Sequence, residues 1–491
     1  MNYFIGLDCG GTFLKAGIYD QYGKEQAIER TSLEILSPHA GYAERDMQDF
    51  WERACLVIKN VVARTSIPIA QIKGIGISAQ GKGVYLLDHA FMPLGTAILS
   101  SDQRSLKIVE KWQQVGLPQK IYPFTLQTLW TGHPVSILRW IKDNEPTRYK
   151  KIAAVLMGHD FLRFKMTGKV QCEITNISES NYFNAQTNSY DPELLSEFGI
   201  EDIYTKLPPI IGASEIAGTL LPEIAKDLGL SPTTIVAGGL FDVVATALCA
   251  GIKDDTKINA VMGTWSVSTG VTTSIDTKQS YPFVYGHHAQ KEHYIVHEAS
   301  PTSAANLEWV AKQLNVTDYS KINQLVGSLA PVATSIIFVP FLYGSNAGLG
   351  LKSSFWGLQS THSKADIFQA VYEGILFCHL VHLEKMFILF PKAQIISVTG
   401  GSARSAIWMQ MFADLTHKTI ELSDIEETGC LGAALSAAIA VGQYPDYWSA
   451  IAVMDIAKKR VLPRLEYFEA YQNKYQKYKK FVALLAEFET K

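Results

Sequence analysis

One strand–turn–strand pattern occurs twice in this chain, and this duplication constrains the fold more than any other feature of the sequence. The first copy spans 5–18 and turns at Gly10-Gly11-Thr12, whereas the second spans 259–270 and turns at Gly263-Thr264. In both copies, apolar residues that favour β-strands flank the turn. The turn glycines permit positive φ angles and leave room for an anion against the backbone amides. The pattern therefore predicts two β-hairpins that hold one triphosphate from opposite sides.

The two copies differ in their charged residues. Asp8 precedes the first turn and Lys15 follows it, but the second turn has no counterpart of either. A carboxylate suits a hydrated Mg²⁺, and an ammonium group suits phosphate oxygens. We therefore predict that Mg²⁺ and the transferring phosphate bind near the first hairpin, and that the second hairpin adds further phosphate contacts.

Composition restricts the class of protein. The chain has 491 residues, of which 47% are hydrophobic, enough for two or three domains with large cores. The formal net charge of −3 and the lack of a Lys/Arg-rich run argue against nucleic acid as a partner. The sequence shows no signal peptide and no apolar stretch of membrane-spanning length, so we expect neither secretion nor membrane insertion. Six scattered cysteines without a CxxC pair are typical of reduced thiols, which predicts a cytoplasmic protein.

Strand-like and helix-like patterns alternate along the chain, which predicts the α/β class. After the opening hairpin, the pattern predicts a helix over 50–63, a buried strand over 72–78 and a small-residue helix over 243–250. We place the domain boundary just after the glycine-rich approach to this last helix. The prediction is an N-terminal domain of residues 1–245 and a C-terminal domain of residues 246–491.

Asp242 is the strongest candidate for a catalytic residue. It follows Gly238-Gly239 at the end of a predicted strand and opens a helix. The N-terminus of a helix stabilises negative charge, so we expect an ionised carboxylate that can accept a hydroxyl proton. A purely structural helix cap is the alternative, since aspartate is a preferred N-cap residue.

A third glycine turn, Gly400-Gly401, lies between a predicted strand at 395–397 and a predicted helix at 406–415. The double glycine would let a flat base or a ribose lie against the backbone, which makes this segment a candidate nucleotide contact. A plain strand-to-helix turn is the alternative.

Two longer motifs carry a family resemblance. Residues 353–358, followed after seven residues by 366–374, fit the second signature of the FGGY family of carbohydrate kinases at every defined position. The family's first signature is matched less well at 132–140, where Ile137 replaces the usual lysine. The chain resembles this family from end to end. The resemblance implies two actin-like, ribonuclease-H-like ATPase domains with an active-site cleft between them, and transfer of the γ-phosphate of ATP to a sugar or polyol hydroxyl.

The resemblance also implies roles for individual residues. The residues implied to meet the ATP phosphates are Gly10, Gly11, Thr12 and Lys15 in the first hairpin and Gly263 and Thr264 in the second. Along the nucleotide it implies Gly400, Gly401 and Ser405. Asp242 is implied to be the general base, and Asp8 to lie beside Mg²⁺ with water between them.

The acceptor is expected to contact polar segments of the first domain. The candidate substrate-binding residues are Gln80, Gly81, Lys82, Asp102, His133 and Asp242, with Arg104 beside Asp102. The local motifs are most similar to those of members that phosphorylate L-xylulose, which implies L-xylulose 5-phosphate as the product. Another pentulose or a tetritol is the alternative within the family. The Lys82 ammonium suggests an acidic second substrate such as 3-dehydro-L-gulonate, although a loop lysine that is solvated or faces phosphate is the simpler interpretation.

The alternative from another class is a non-transferring, actin-like protein that binds ATP and is gated by it. Such a protein would bind ATP without releasing ADP in response to any sugar. We expect a small-molecule sugar and ATP as partners, with no nucleic acid and no membrane. The sequence leaves the oligomeric state open, including a homodimer.

Overall fold

The computed structural model describes residues 1–277, 282–348, 350–454 and 458–489. The chain packs into two compact units whose segments interleave along the sequence. The first unit comprises Met1–Gly251, Thr272–Val296 and Glu427–Asp455, and the second comprises Ile252–Val271, His297–Glu426 and Ile456–Lys491. These units are defined by packing, and a single sequence boundary after residue 245 stays a prediction.

The first unit is built on a twisted sheet that contains the first predicted hairpin. In the order in which they pair, its strands are Ile216–Thr219, Ile235–Ala237, Ile72–Ala79, Tyr3–Cys9, Phe13–Asp20 and Glu25–Ser32, and Leu240–Phe241 also pairs with Ile72–Ala79. Strand Tyr3–Cys9 pairs antiparallel with Phe13–Asp20 and parallel with Ile72–Ala79. The α/β class and the buried strand predicted at 72–78 are confirmed.

The two faces of this sheet differ because successive side chains of a strand point to opposite sides. Ile5, Leu7, Ile75 and Ile77 are fully buried in the main hydrophobic core of the first unit. The other face carries small residues, and there the helix Thr428–Ala440 packs against the sheet. A Cβ at Gly6 or at Gly76 would overlap backbone carbonyl atoms of this helix. The glycines therefore allow a closer helix–sheet approach than any other residue would permit.

The first unit also contains further helices and short strand pairs. Its other helices are Met47–Ala63, Leu106–Gln114, Leu117–Thr125, Pro134–Asn144, Pro146–Lys150, Gly158–Thr167, Ile174–Ile177, Pro192–Glu197, Pro222–Leu228, Asp242–Cys249 and Tyr447–Ala452. Short strand pairs join Glu44–Arg45 to Ala97–Ile98, Tyr85–Leu87 to Ala154–Leu156, Cys172–Glu173 to Ile210–Ile211 and Phe183–Asn184 to Ser189–Tyr190.

The second unit, like the first, has a β-hairpin whose first strand pairs with a parallel strand. Strand Lys257–Met262 pairs antiparallel with Ser266–Thr272 and parallel with Ile395–Thr399, which pairs parallel with Thr419–Ser423. Strand Lys458–Val461 adds an antiparallel edge. Each unit thus has a hairpin whose first strand is followed in the sheet by parallel strands, so the predicted duplication is confirmed in the topology.

The helices of the second unit are Ala304–Gln313, Tyr319–Gly327, Lys364–Leu389, Ala406–Thr416 and Leu465–Glu489. A further strand pair of this unit joins Ile337–Val339 to Ser354–Trp356. Strand Val284–His287 lies within the first unit, and strand Tyr294–Ser300 begins in the first unit and ends in the second. In the parts of the chain that the structure describes, no helix combines the length and the apolar character needed to span a membrane.

Candidate active site

Two carboxylates of the first unit emerge at the same edge of the sheet. Strand Tyr3–Cys9 and strand Leu240–Phe241 both run parallel to Ile72–Ala79, and they place Asp8 opposite Ser78 and Phe241 opposite Ala79. Because parallel strands end at the same edge, Asp8, the penultimate residue of its strand, and Asp242, the residue after Phe241, both lie at the carboxyl ends of strands that flank Ile72–Ala79. This is where α/β proteins commonly bind their ligands.

The approach to Asp242 depends on the glycine pair that the sequence singled out. Gly239 has φ +89°, and a Cβ there would lie 2.5 Å from the carbonyl oxygen of Ile77. Only glycine therefore suits this crossing over the central strand. The amide of Phe241 then donates to Thr175 Oγ1 at 2.9 Å. Phe241 occupies the N-cap position and Asp242 is the first residue of helix Asp242–Cys249, so Asp242 is not the helix cap.

The protonation of Asp242 differs from the expectation drawn from its place on the helix. Desolvation raises the pKa of Asp242 to about 8, with a further increase from the charge of Asp8 and opposing effects of the Val243 amide and Lys82. The expectation of an ionised carboxylate was wrong for the protein without ligands, because desolvation and a neighbouring negative charge outweigh the helix N-terminus. Desolvation likewise raises the pKa of Asp8 to about 6.

This raised pKa predicts that stability falls as the pH rises between 3.8 and about 8. The Asp242 carboxyl has a pKa of about 8 in the folded protein and an ordinary value of 3.8. Between these values the folded state holds a proton that the unfolded state has released, so the free energy of unfolding falls as the pH rises. From pH 6 to pH 8 we expect wild type to lose about 2 kcal/mol more than Asp242→Asn. Denaturant titrations at both pH values measure this difference, and parallel losses in the two proteins would contradict the assignment.

Lys15 has a protein partner next to the first turn. Its Nζ lies 2.5 Å from Glu427 Oε2, and Glu427 immediately precedes helix Thr428–Ala440. Asp8 accepts a hydrogen bond from Ser78 Oγ at 3.2 Å. Among the residues that the structure describes, no group of three or more His, Cys, Asp and Glu could hold a metal ion. Mg²⁺ commonly takes only one or two carboxylates and completes its shell with water and phosphate oxygens, so Asp8 fits such an ion.

The loop Gln80-Gly81-Lys82 lies directly beside this edge. A Cβ at Gly81 would lie 2.6 Å from the ring of Phe241, so the loop packs against the residue that precedes Asp242. Lys82 has φ +66°, its amide donates to Asn176 Oδ1 at 3.0 Å, and its Nζ lies 2.7 Å from Glu179 Oε2. The Glu179 side chain is fully buried. Lys82 is therefore not a solvated loop lysine, and sequence analysis had not singled out Glu179 as a site residue.

The structure gives the other candidate acceptor residues partners within the protein. Asp102 is fully buried and accepts hydrogen bonds from the amide of Ala43 at 2.7 Å and from Arg104 Nε at 2.9 Å. Arg104 also pairs with Glu44 at 2.5 Å. His133 is buried at the start of helix Pro134–Asn144. If Asp102 contacts the sugar, it does so in addition to these hydrogen bonds within the protein. Sugar binding by Asp102 and by His133 stays a prediction.

The second unit contains a cavity of about 520 Å³ that brings predicted nucleotide residues together. Among its lining residues are Gly263, Thr264, Gly401 and Ser405, all four of which were predicted to contact ATP. A volume of several hundred Å³ is typical of sites for small molecules and cofactors.

Aromatic residues that the motifs did not reveal complete this cavity. Tyr372 and Trp408 both line it and stack on each other with ring centroids 4.3 Å apart. Asn323 accepts hydrogen bonds from Ser405 Oγ at 2.6 Å and from the Tyr372 hydroxyl at 2.9 Å. Tyr372 lies within the second family signature, which was the available signal. Asn323 and Trp408 have no comparable motif and are identified only by the packing.

Gly400 allows the two glycine turns of the second unit to meet. It has φ +97°, and a Cβ there would lie 2.8 Å from the carbonyl group of Met262. We therefore expect Gly400→Ala to lower stability by about 2 kcal/mol and to weaken ATP binding, because backbone atoms at the base of the cavity must move.

Gly401→Ala is the matched comparison, since a Cβ at Gly401 has no other heavy atom within 4 Å. Thermal unfolding and calorimetric ATP titration of both variants test the prediction. Equal melting temperatures for the two variants would contradict it.

The fold and these two sites define an actin-like sugar-kinase architecture, and comparison with known proteins agrees. The N-terminal domain model of the FGGY family of carbohydrate kinases matches residues 3–249 and its C-terminal domain model matches residues 258–441. The chain belongs to this family, whose members are ATP-dependent phosphotransferases with an alcohol group as acceptor.

Individual proteins show which kinds of sugar kinase this chain is similar to. The chain is 53% identical to the probable L-xylulose kinase of Pasteurella multocida (strain Pm70), over 99% of both chains. It is 48% identical to the L-xylulose/3-keto-L-gulonate kinase of Escherichia coli (strain K12), over 99% of this chain and 98% of the relative. The ligand-bound xylulose kinase from Lactobacillus acidophilus has the same fold, with a TM-score of 0.92 at 22% identity and 99% of both chains covered.

Proposed function

We propose that this protein transfers the γ-phosphate of ATP to the terminal hydroxyl of L-xylulose and forms L-xylulose 5-phosphate. For phosphoryl transfer, the observation that supports the proposal most is that the Gln80-Gly81-Lys82 loop packs against Phe241, directly before the Asp242 carboxyl that would serve as the base. Two relatives at 48% identity or more over nearly the whole chain carry L-xylulose in their names.

Asp242 acts as the general base in this proposal. Its carboxylate accepts the proton of the acceptor hydroxyl while the oxygen attacks phosphorus. The base must be ionised for this step, and its pKa is about 8 without ligands. Because the charge of Asp8 contributes to that value, neutralising Asp8 would lower the pKa of Asp242 toward neutrality.

The remaining site residues bind and orient the nucleotide. Mg²⁺, when bound through water beside Asp8, supplies positive charge for the phosphate oxygens. In the first hairpin, the proposed phosphate contacts are the turn Gly10-Gly11-Thr12 and Lys15, which would exchange its bond to Glu427 for phosphate. In the second unit, Gly263 and Thr264 hold phosphate while Gly401 and Ser405 line the remainder of the nucleotide, with Gly400 beneath them.

Lys82 could affect whether the protein also accepts an acidic sugar. The name of the E. coli relative includes such a substrate, 3-keto-L-gulonate. An ammonium group in the acceptor site could pair with the carboxylate of this sugar acid. In the structure, however, Lys82 already pairs with the buried Glu179 at 2.7 Å. We therefore propose L-xylulose as the better acceptor and 3-dehydro-L-gulonate, the same keto acid, as the weaker one, because the acid must share Lys82 with Glu179.

The test is Mg²⁺- and ATP-dependent release of ADP with L-xylulose, D-xylulose, L-ribulose, glycerol, erythritol and 3-dehydro-L-gulonate. The proposal requires the largest kcat/KM with L-xylulose. A better acceptor elsewhere in this set would replace L-xylulose in the assignment, and no response to any sugar despite ATP binding would favour the non-transferring binding protein.

Two variants address the acidic acceptor. Lys82→Met should lower kcat/KM for the keto acid more than for L-xylulose, whereas Glu179→Gln should favour the acid by releasing the ammonium group. Equal losses on both substrates in Lys82→Met would count against a carboxylate contact.

A further inference from the structure

His379 connects two segments next to the second phosphate turn, Gly263-Thr264-Trp265: the strand that leaves the turn and the start of helix Ala304–Gln313. It lies on the long helix Lys364–Leu389. Its Nδ1 is 2.8 Å from Ser266 Oγ, and its Nε2 is 3.1 Å from Ser303 Oγ. All three side chains are fully buried. The imidazole ring therefore bridges the strand that leaves the turn and the residue that precedes helix Ala304–Gln313.

Both hydrogen bonds can form at once with an uncharged ring. Burial lowers the pKa of His379 to about 3, with a smaller contribution from His382. A neutral imidazole donates from one ring nitrogen and accepts at the other, and a serine hydroxyl can take either role. His379 thus links the two serines without placing a charge behind the phosphate turn.

The start of helix Ala304–Gln313 is joined to the turn by a second contact. The amide of Ala304 donates to the carbonyl oxygen of Gly263 at 3.0 Å, and both residues line the cavity. Ser303 occupies the N-cap position, yet its side chain makes no capping bond to the helix. Its hydroxyl is directed to His379 instead, although serine is a favoured capping residue.

We propose that His379 is a positioning residue for the second phosphate turn. By joining Ser266 to Ser303, it holds the backbone of Gly263 and Thr264 in the conformation that receives phosphate. This inference rests on the proposed ATP site. His379 contacts the framework behind the turn, so its loss should affect ligands that carry phosphates and spare ligands that lack them.

The experiment compares ATP with adenosine by titration calorimetry in the full-length protein. His379→Phe keeps a ring of similar size and removes both hydrogen bonds, which leaves two buried hydroxyls without this partner. We expect the Kd for ATP to rise about tenfold while the Kd for adenosine stays unchanged. In turnover assays, the KM for ATP should rise while the KM for the sugar is retained.

His382→Phe is the matched control on the same helix. His382 is also buried, but it bonds to Ser300 Oγ at 2.7 Å and to Glu298 at 3.3 Å rather than to the hairpin. It should lower the melting temperature without changing the ratio of the ATP and adenosine dissociation constants. If His379→Phe does not fold, Ser266→Ala and Ser303→Ala each remove one of the two bonds, and each should weaken ATP selectively.

Four results distinguish the possible failures. Equal weakening of ATP and adenosine in His379→Phe, or unchanged ATP affinity, would overturn the positioning role. Selective loss of ATP affinity in the His382 control as well would also overturn it, because the effect would then belong to the helix as a whole. Failure of the wild-type protein to bind ATP would instead refute the nucleotide site on which this inference rests.

Discussion

Asp242→Asn is expected to lower kcat about a thousandfold or more with L-xylulose, while ATP affinity is retained. Asparagine has nearly the same shape as aspartate, but its amide cannot accept the hydroxyl proton. General-base catalysis typically contributes about 10²- to 10⁴-fold to a rate. Loss of this contribution should therefore appear in kcat and in kcat/KM for the sugar, with little change in the dissociation constant of ATP.

Steady-state ADP release and calorimetric ATP titration measure the two quantities. Asp227→Asn is a suitable control, because Asp227 is an exposed residue that pairs with Lys59 on the surface. It should behave as wild type in both measurements. Retention of more than about a tenth of the wild-type kcat in Asp242→Asn would show that another group accepts the proton.

Gly76→Ala is expected to cause a large loss of stability, because Gly76 is one of the two glycines of the first sheet whose Cβ would overlap the backbone of the packed helix. The new Cβ would overlap the carbonyl oxygen of Ala433 in helix Thr428–Ala440. Because the obstacle is backbone rather than a flexible side chain, the helix itself must move. We expect a cost of about 3 kcal/mol or more, since overpacking a close-packed interface commonly costs 1–3 kcal/mol even where side chains can adjust.

The same displacement should reduce activity. The helix begins beside Asp8, and a Cβ at Gly429 in its first turn would overlap the Asp8 carboxylate. The melting temperature and the rate of ADP release should therefore both fall in Gly76→Ala.

Gly74→Ala provides the graded comparison, because its Cβ would lie 3.1 Å from Ala437 Cβ and from the flexible Ile235 side chain, a tight contact but not an overlap with backbone. A smaller loss is expected there. Equal melting temperatures for the two variants would contradict the close helix–sheet packing.

The elements that local sequence could define were predicted well. The helix expected over 50–63 is Met47–Ala63, the helix expected over 243–250 is Asp242–Cys249, and the helix expected over 406–415 is Ala406–Thr416. A helix is defined by its apolar periodicity and by the residues that start and stop it. All of these signals are local in the sequence. The two hairpins were predicted for the same reason, because each turn is specified by a Gly-Thr step between β-favouring residues.

The environment of the candidate base could not be predicted in this way. The sequence placed Asp242 at the start of a helix, and the structure confirms that position. Its pKa of about 8, however, depends on desolvation and on the charge of Asp8. Both arise when distant segments pack together, and the helix N-terminus that the sequence reveals is the weaker influence.

The sequence by itself therefore determined the α/β class, the duplicated hairpins, the family and the identity of the candidate base. The tertiary structure alone decided that helix Thr428–Ala440 packs on the glycine face of the first sheet, that Lys82 pairs with Glu179, and that Tyr372 and Trp408 form one wall of a cavity. The physical reason is the separation along the sequence of the residues that interact. Backbone preference and hydrophobic periodicity are properties of neighbouring residues, whereas close packing, desolvation and ion pairing join residues far apart in the chain.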